Sequence, residues 1–167
     1  MLYLLRREHF DGTDEFVRTG IRQEPIAIGI CCLAIIIALV GGVGFASHLV
    51  LRHLVQTLPF WIAVVLGVRS SRATGWVALP LFLFWLILMA VIWLYLLGIA
   101  HLISGHFSPT EVAMTILVGA ASLAGIGLFT RFKSHISSAR AVITFVVIAA
   151  LQYACFVLSF LPAIAHR

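Results

Sequence analysis

Seven histidines, three cysteines and a single acidic residue after position 24 are the side chains of this 167-residue sequence best equipped for chemistry. His48 and His53 flank one short break between apolar runs. His101 and His106 flank the next, within "HLISGHFSPTE". Neutral imidazole is a common ligand for zinc, copper and haem iron. With the membrane orientation derived below, these four histidines and His166 share one outer rim, which defines a candidate outer-face haem- or metal-binding redox site. The spacing argues against a site on one helix. His-x4-His sets the two rings about 140° apart around a helix, unlike the same-face i, i+4 pairs that grip a metal, so a site would have to join different helices. The bland alternative is that these polar-tipped rings sit comfortably at headgroup level. A pH-sensing role is a third.

Glu111 is the lone late carboxylate, and at a membrane mouth it could gate protons or cations. Its neighbours supply a simpler reason. Ser108, Pro109 and Glu111 form a helix start with an N-cap serine, a proline at the first helical position and a capping-box glutamate. Gln152 falls near the middle of the last apolar run. An amide facing lipid there would lack partners, so Gln152 should face another helix and act as interhelical glue. Cys31, Cys32 and Cys155 match no zinc or haem-attachment spacing. In the topology below, Cys31 and Cys155 lie about 8 Å and about 21 Å from the inner ends of their helices, so no disulfide is expected. The sequence contains no nucleophile elbow, phosphate-binding glycine loop, H-E-x-x-H or paired membrane carboxylates. The expectation is a protein without catalysis of its own, with no catalytic or metal residue assignable and no cofactor.

These residues are set in a chain that is 62% hydrophobic and only 10% charged, against roughly a quarter charged in soluble domains. The expected fold is an all-α polytopic membrane bundle of five transmembrane helices, at about 26–47, 54–68, 76–100, 109–129 and 141–161. Residues 1–25 are a cytoplasmic N-terminal arm, and residues 26–167 form one helical membrane domain. The arm is too polar near its start for a cleaved signal peptide, so the first membrane segment is expected to be retained. The net charge of +5 does not point to nucleic acid, because the basic residues occupy the breaks between apolar runs, which is orientation chemistry.

One segment is in doubt. "LVQTLPFWIAVVLGV" at 54–68 would reach only about 22 Å as a helix, short of the roughly 30 Å hydrocarbon layer. It could be re-entrant, leaving four spans. Positive residues decide between the two. If the segment does not cross, the Lys and Arg residues divide almost evenly. If it crosses, Arg6, Arg7, Arg18, Arg22, Arg69, Arg72, Arg131, Lys133 and Arg140 share one side, leaving only Arg52 and Arg167 opposite. Five helices follow, with the N-terminus cytoplasmic and the C-terminus outside, in a bacterial-type inner membrane.

Helices meet in lipid through small residues. Ala34, Ala38, Gly42 and Ala46 recur every four positions in the first helix, and Ala120 with Ala124 and Ala121 with Gly125 mark the fourth. These two helices are expected at the packed centre, with the third, rich in Phe82, Phe84, Trp85, Trp93 and Tyr95, as bulky outer surface. One of these stripes could instead make a homodimer. The leading functional expectation is a structural, assembly or accessory subunit whose partners are the bilayer and another membrane protein. The alternatives are the redox or metal protein built on His48, His53, His101 and His106, and a small oligomeric transporter. The topology makes a direct prediction: reporters fused at Arg72 and after Arg167 will report opposite compartments, as read by paired alkaline-phosphatase and green-fluorescent-protein fusions.

Overall fold

The computed structural model describes residues 23–99, 107–131 and 136–165, and everything in these segments is helix or short turn. Five helices are long and apolar enough to cross a membrane: α1 (Gln23–Gly44), α2 (Val50–Val68), α3 (Thr74–Leu96), α4 (Pro109–Arg131) and α5 (Ser138–Leu158). A one-turn α6 (Pro162–Ala165) follows. This is the architecture of a multi-pass membrane protein. The N-terminal arm up to position 22 lies outside the described residues, as do His101, His106 and His166.

The doubtful segment is longer than its hydropathy suggested. Helix α2 begins at Val50 and runs 19 residues, about 28 Å, because "VLRH" winds into the same helix as the apolar run behind it. Pro59 sits inside α2 without ending it. No break for a re-entrant turn is present. The other helices also shift by a few residues from the expected bounds, and three of the stops, those of α1, α2 and α3, have a common cause. His48, Ser70 and Gly98 all have positive φ, at 57°, 50° and 69°. Around each, the same paired bonds close the helix: Leu49 N–H to Gly44 O with His48 N–H to Phe45 O, Ser71 to Leu66 with Ser70 to Gly67, and Ile99 to Leu94 with Gly98 to Tyr95. These are Schellman endings, in which one left-handed residue lets two amides turn back onto the last free carbonyls.

The path alternates up and down. Gly29 of α1 touches Gly67 of α2, while Gly44 at the other end of α1 lies against Val50 and His53. Trp76 meets Phe129 edge to face at one end of the α3–α4 pair, and Tyr95 meets Phe107 at the other. Antiparallel neighbours joined by short turns account for this arrangement.

The centre of the bundle differs from the sequence expectation. Helix α3 is its axis, packed on α2, α4 and α5, with Leu81, Phe82 and Trp85 buried. Phe82 and Trp85 are therefore core, not outer surface. The reason is complementary shape. Gly125 of α4 leaves the space that the Phe82 ring fills, and a Cβ there would overlap the ring. Ala120 and Ala124, the other small pair of α4, face outward. Helix α1 does pack on α4, as expected from its small residues: Gly42 lies directly against Met114. The stretch Ile37–Gly44 of α1 is wound as a π-helix, unusually long for a form that mostly occurs as single-turn bulges. The outward faces are aliphatic, with Ile87, Val142, Ile143, Val146 and Val147 exposed.

The closest backbone approach is at the α1–α2 crossing. A Cβ on Gly67 would lie 2.8 Å from the Pro25 carbonyl oxygen and 3.0 Å from the Gly29 Cα. Gly67→Ala should therefore cost about 1–3 kcal/mol through forced separation of the helices. Gly119→Ala, where an added Cβ meets nothing within 4 Å, should leave stability unchanged or raise it by up to about 1 kcal/mol. Thermal unfolding of the two variants in detergent checks the contrast.

Candidate functional site

A cavity of about 450 Å³ opens in the half of the bundle that holds the α1–α2 turn and the start of α4. Its size is within the range of small-molecule sites. Every one of the five long helices contributes to its wall. Leu39 and Val43 come from α1, Leu88, Met89 and Ile92 from α3, Met114 and Val118 from α4, and Phe156 from α5 with Phe160 just beyond it. The polar groups are Ser47, Arg52, His53, Gln56, Trp85, Glu111 and Thr115. The wall is thus mostly apolar with a few convergent polar groups.

Helix α2 supplies the polar side by simple periodicity. Leu49, Arg52, His53 and Gln56 follow one another at i, i+3, i+4 and i+7, the spacing of one helix face. Arg52 spreads its guanidinium over the Phe160 ring, 4.0 Å from the centroid, a cation–π contact. Its Nε is buried and has no hydrogen-bond partner among the described residues. The His53 ring bonds through Nδ1 to the Leu49 carbonyl oxygen at 2.9 Å. A carbonyl only accepts, so Nδ1 carries the proton and Nε2 is the free nitrogen.

The floor of the polar side is locked by a buried relay between α2 and α5. Gln152, fully buried, donates from Nε2 to the Gln56 backbone oxygen at 3.1 Å. Gln56 donates from its own Nε2 to Ser159 Oγ at 2.8 Å, and that hydroxyl donates to the Phe156 carbonyl at 2.6 Å. Gln152 is the interhelical glue the sequence led us to expect, and the structure adds its partner, the Gln56 carbonyl of α2. Its Oε1 has no partner among the described residues.

Trp85 is the other exceptional group. It lies at the middle of α3, is 2% exposed and lines the cavity, yet its indole N–H has no acceptor among the described residues. Leaving a buried donor unpaired costs about 1–3 kcal/mol, and native structures seldom do so without a reason.

Glu111 has the capping role read from the sequence. Its Oε2 accepts from the Ser108 N–H at 2.7 Å and from the Ser108 hydroxyl at 2.9 Å, while Ser108 Oγ accepts from the Glu111 N–H at 3.3 Å. The same residue also lines the cavity. Of the two rim histidines among the described residues, His53 lines the cavity. His48 is exposed on the α1–α2 turn, where its backbone forms the Schellman ending. Among the described residues no three His, Cys, Asp or Glu side chains cluster as metal ligands would. The three cysteines are free thiols, in agreement with the expectation of no disulfide.

Arg52 and Trp85 were not singled out for a site by the sequence reading. The helical spacing of Arg52 with Gln56 was the available signal for the first. Nothing in the sequence marks Trp85, whose significance lies in what surrounds its N–H. In comparisons with known protein families, curated proteins and solved structures, the chain matches none.

The backbone role of His48 makes it separable from imidazole chemistry. His48→Gly should hold or increase stability by up to about 1 kcal/mol, since glycine adopts the left-handed conformation freely. His48→Val should lower it, because a β-branched residue is a steric outlier there. Melting temperatures of the two variants, compared in one detergent, test this ordering.

Proposed function

We propose that the chain is a non-catalytic accessory subunit of a bacterial-type inner membrane, with its N-terminus cytoplasmic, and that it works by holding an amphiphilic molecule in the cavity among its five helices. The observation that carries this reading is the cavity wall itself. An apolar lining of leucine, methionine and phenylalanine suits a hydrocarbon body, and the Arg52–His53–Gln56 face near the helix ends suits a polar head. The positive-inside distribution supports the orientation, with Arg69, Arg72, Arg131 and Arg140 at the ends of helices opposite the cavity. An accessory role fits a protein whose outward helix faces are aliphatic and available to lipid or to another membrane subunit.

A second reading has one observation in its favour. The Nδ1–H of His53, held by the Leu49 carbonyl, fixes the ring and leaves Nε2 free. This is the orientation that outer-sphere hydrogen bonds impose on metal-bound histidines. His101 and His106, outside the described residues, would have to complete such a site.

Both readings meet one preparation. Full-length protein purified in mild detergent should carry about one equivalent of an amphiphile by mass spectrometry of its organic extract, and Leu88→Trp, which fills the cavity, should lose it while retaining its elution volume. Equal retention by the filled variant would remove the cavity reading. A Soret band or stoichiometric metal that disappears in His53→Gln would establish the second reading instead.

A further inference from the structure

The polar groups of the cavity wall divide by whether they are already answered. Below the mouth, Gln56 donates to Ser159 Oγ and Thr115 Oγ1 donates to the Val112 carbonyl. The Trp85 N–H is buried away from the cavity surface, so what the indole offers an occupant is apolar ring. At the mouth, Ser47 Oγ donates to the Val43 carbonyl, and Glu111, the acidic group of the wall, is engaged by the Ser108 N–H and hydroxyl. Two open groups remain there. His53 Nε2, in the neutral ring, only accepts. Arg52 is a permanent cation with the Phe160 ring over its face and no counter-charge in the wall. That stack leaves the terminal N–H groups, which lie in the guanidinium plane, open to a bidentate acceptor. The mouth therefore calls for an anion at Arg52, and the space beneath it for an apolar body.

Depth then sets the length of that body. Measured by helical rise from the cavity-side ends of their helices, Arg52 of α2 lies about 3 Å in and Trp85 of α3 about 16 Å in. Ile92 and Met89 of α3 and Met114 of α4 line the interval, and Val118 lies near the depth of Trp85. An extended chain advances about 1.2 Å per bond, so the roughly 13 Å from mouth to floor takes about ten or eleven bonds. The volume agrees with one chain. At about 30 Å³ per methylene-sized group, the share of a water molecule in its liquid, a chain of that length fills roughly 300–400 Å³ of the cavity's 450 Å³. A second chain has no room. We propose that the cavity binds a single-chain aliphatic carboxylate of about ten to twelve carbons, its carboxylate paired with Arg52 and its methyl end against the Trp85 ring. The inference rests on the amphiphile-binding function proposed above and names its chemical class. A carboxylate fits the mouth better than an alkyl phosphate, which carries about −1.5 to −2 charges at neutral pH and would share the mouth with Glu111. Arg52 reads the head, and Trp85 measures the chain.

The test titrates delipidated full-length protein, held in a sterol-based detergent that has no alkyl chain to compete, with octanoate, decanoate, dodecanoate and hexadecanoate. Bound ligand is counted by native mass spectrometry at alkaline pH, where the carboxylates are ionised. Wild type should bind one decanoate or dodecanoate about tenfold more tightly than octanoate, and hexadecanoate more weakly than either. Decanol, which has the chain and no charge, should bind about tenfold more weakly than decanoate. Arg52→Gln should erase that difference by weakening decanoate alone, and Arg52→Lys should retain part of it. Trp85→Leu, which lowers the floor, and Val118→Ala, which widens it, should both move the length optimum toward hexadecanoate. Decyl phosphate should bind more weakly than decanoate; equal or tighter binding would assign the site to an alkyl phosphate and overturn the carboxylate. Affinity that keeps rising through hexadecanoate in wild type, an unmoved optimum in the folded floor variants, or an unchanged preference over decanol in a folded Arg52→Gln would likewise overturn the proposal. If Arg52→Gln does not fold, Arg52→Lys decides the head; if Trp85→Leu does not, Val118→Ala and the wild-type series decide the length. Failure to bind carboxylate or alcohol, in a preparation whose organic extract yields another amphiphile that Leu88→Trp loses, would sink this inference and leave the amphiphile-binding function standing. The same failure with an empty extract would sink both.

Discussion

An apolar medium offers no hydrogen-bond partners, so each polar group carried into it must be satisfied by the protein or by something the protein holds. The relay from Gln152 to Gln56, Ser159 and Phe156 is how this chain meets the requirement between α2 and α5. Each link is a modest interaction, about 1 kcal/mol in membranes, but its geometry is specific. It fixes the far end of α5 against the first half of α2. That placement brings Phe156 and Phe160 into the cavity wall and puts the Phe160 ring under the Arg52 guanidinium. The relay that pairs the Gln56 and Gln152 amides thus also sets this part of the cavity wall.

Around that relay the packing follows from shape more than from polarity. Helix α3 is apolar on every side, as expected for a helix surrounded by other helices or lipid, and its position is set by where bulky groups find room. Phe82 seats over Gly125, and Phe84 meets the Phe156 ring edge to face. Trp85 is carried to the cavity floor as a consequence. The indole buries a large apolar area there, and its N–H has no acceptor among the described residues.

Much of the architecture was legible in the residues. Hydropathy and the Lys/Arg distribution led to five helices, and "SPTE" led to a capping box that the structure contains bond by bond. Gln152 was legible as interhelical because a lone mid-membrane amide has few alternatives. Other features were hidden for identifiable reasons. The start of α2 was set too late because Arg52 and His53 lower local hydropathy although they extend the helix. Three helix ends depend on a left-handed residue, and in two of them it is His48 or Ser70 rather than the glycine or asparagine that would have announced it. The central role of α3 was missed because aromatic bulk reads as surface or core equally well when the solvent is itself apolar. The cavity requires the joint arrangement of five helices, which no single window of sequence encodes.

The winding of α1 couples two of these features. Leu39 and Val43 belong to the π-wound stretch Ile37–Gly44 and to the cavity wall at once. Hydrogen bonds that reach five residues back, rather than four, enclose an additional residue per turn. Reverting the stretch to ordinary α winding would rotate both side chains about the helix axis and draw Gly42 out of register with Met114. The diameter of the compartment and the hydrogen-bond register of its first wall are thus a single mechanical coordinate, and whatever occupies the compartment also holds that register.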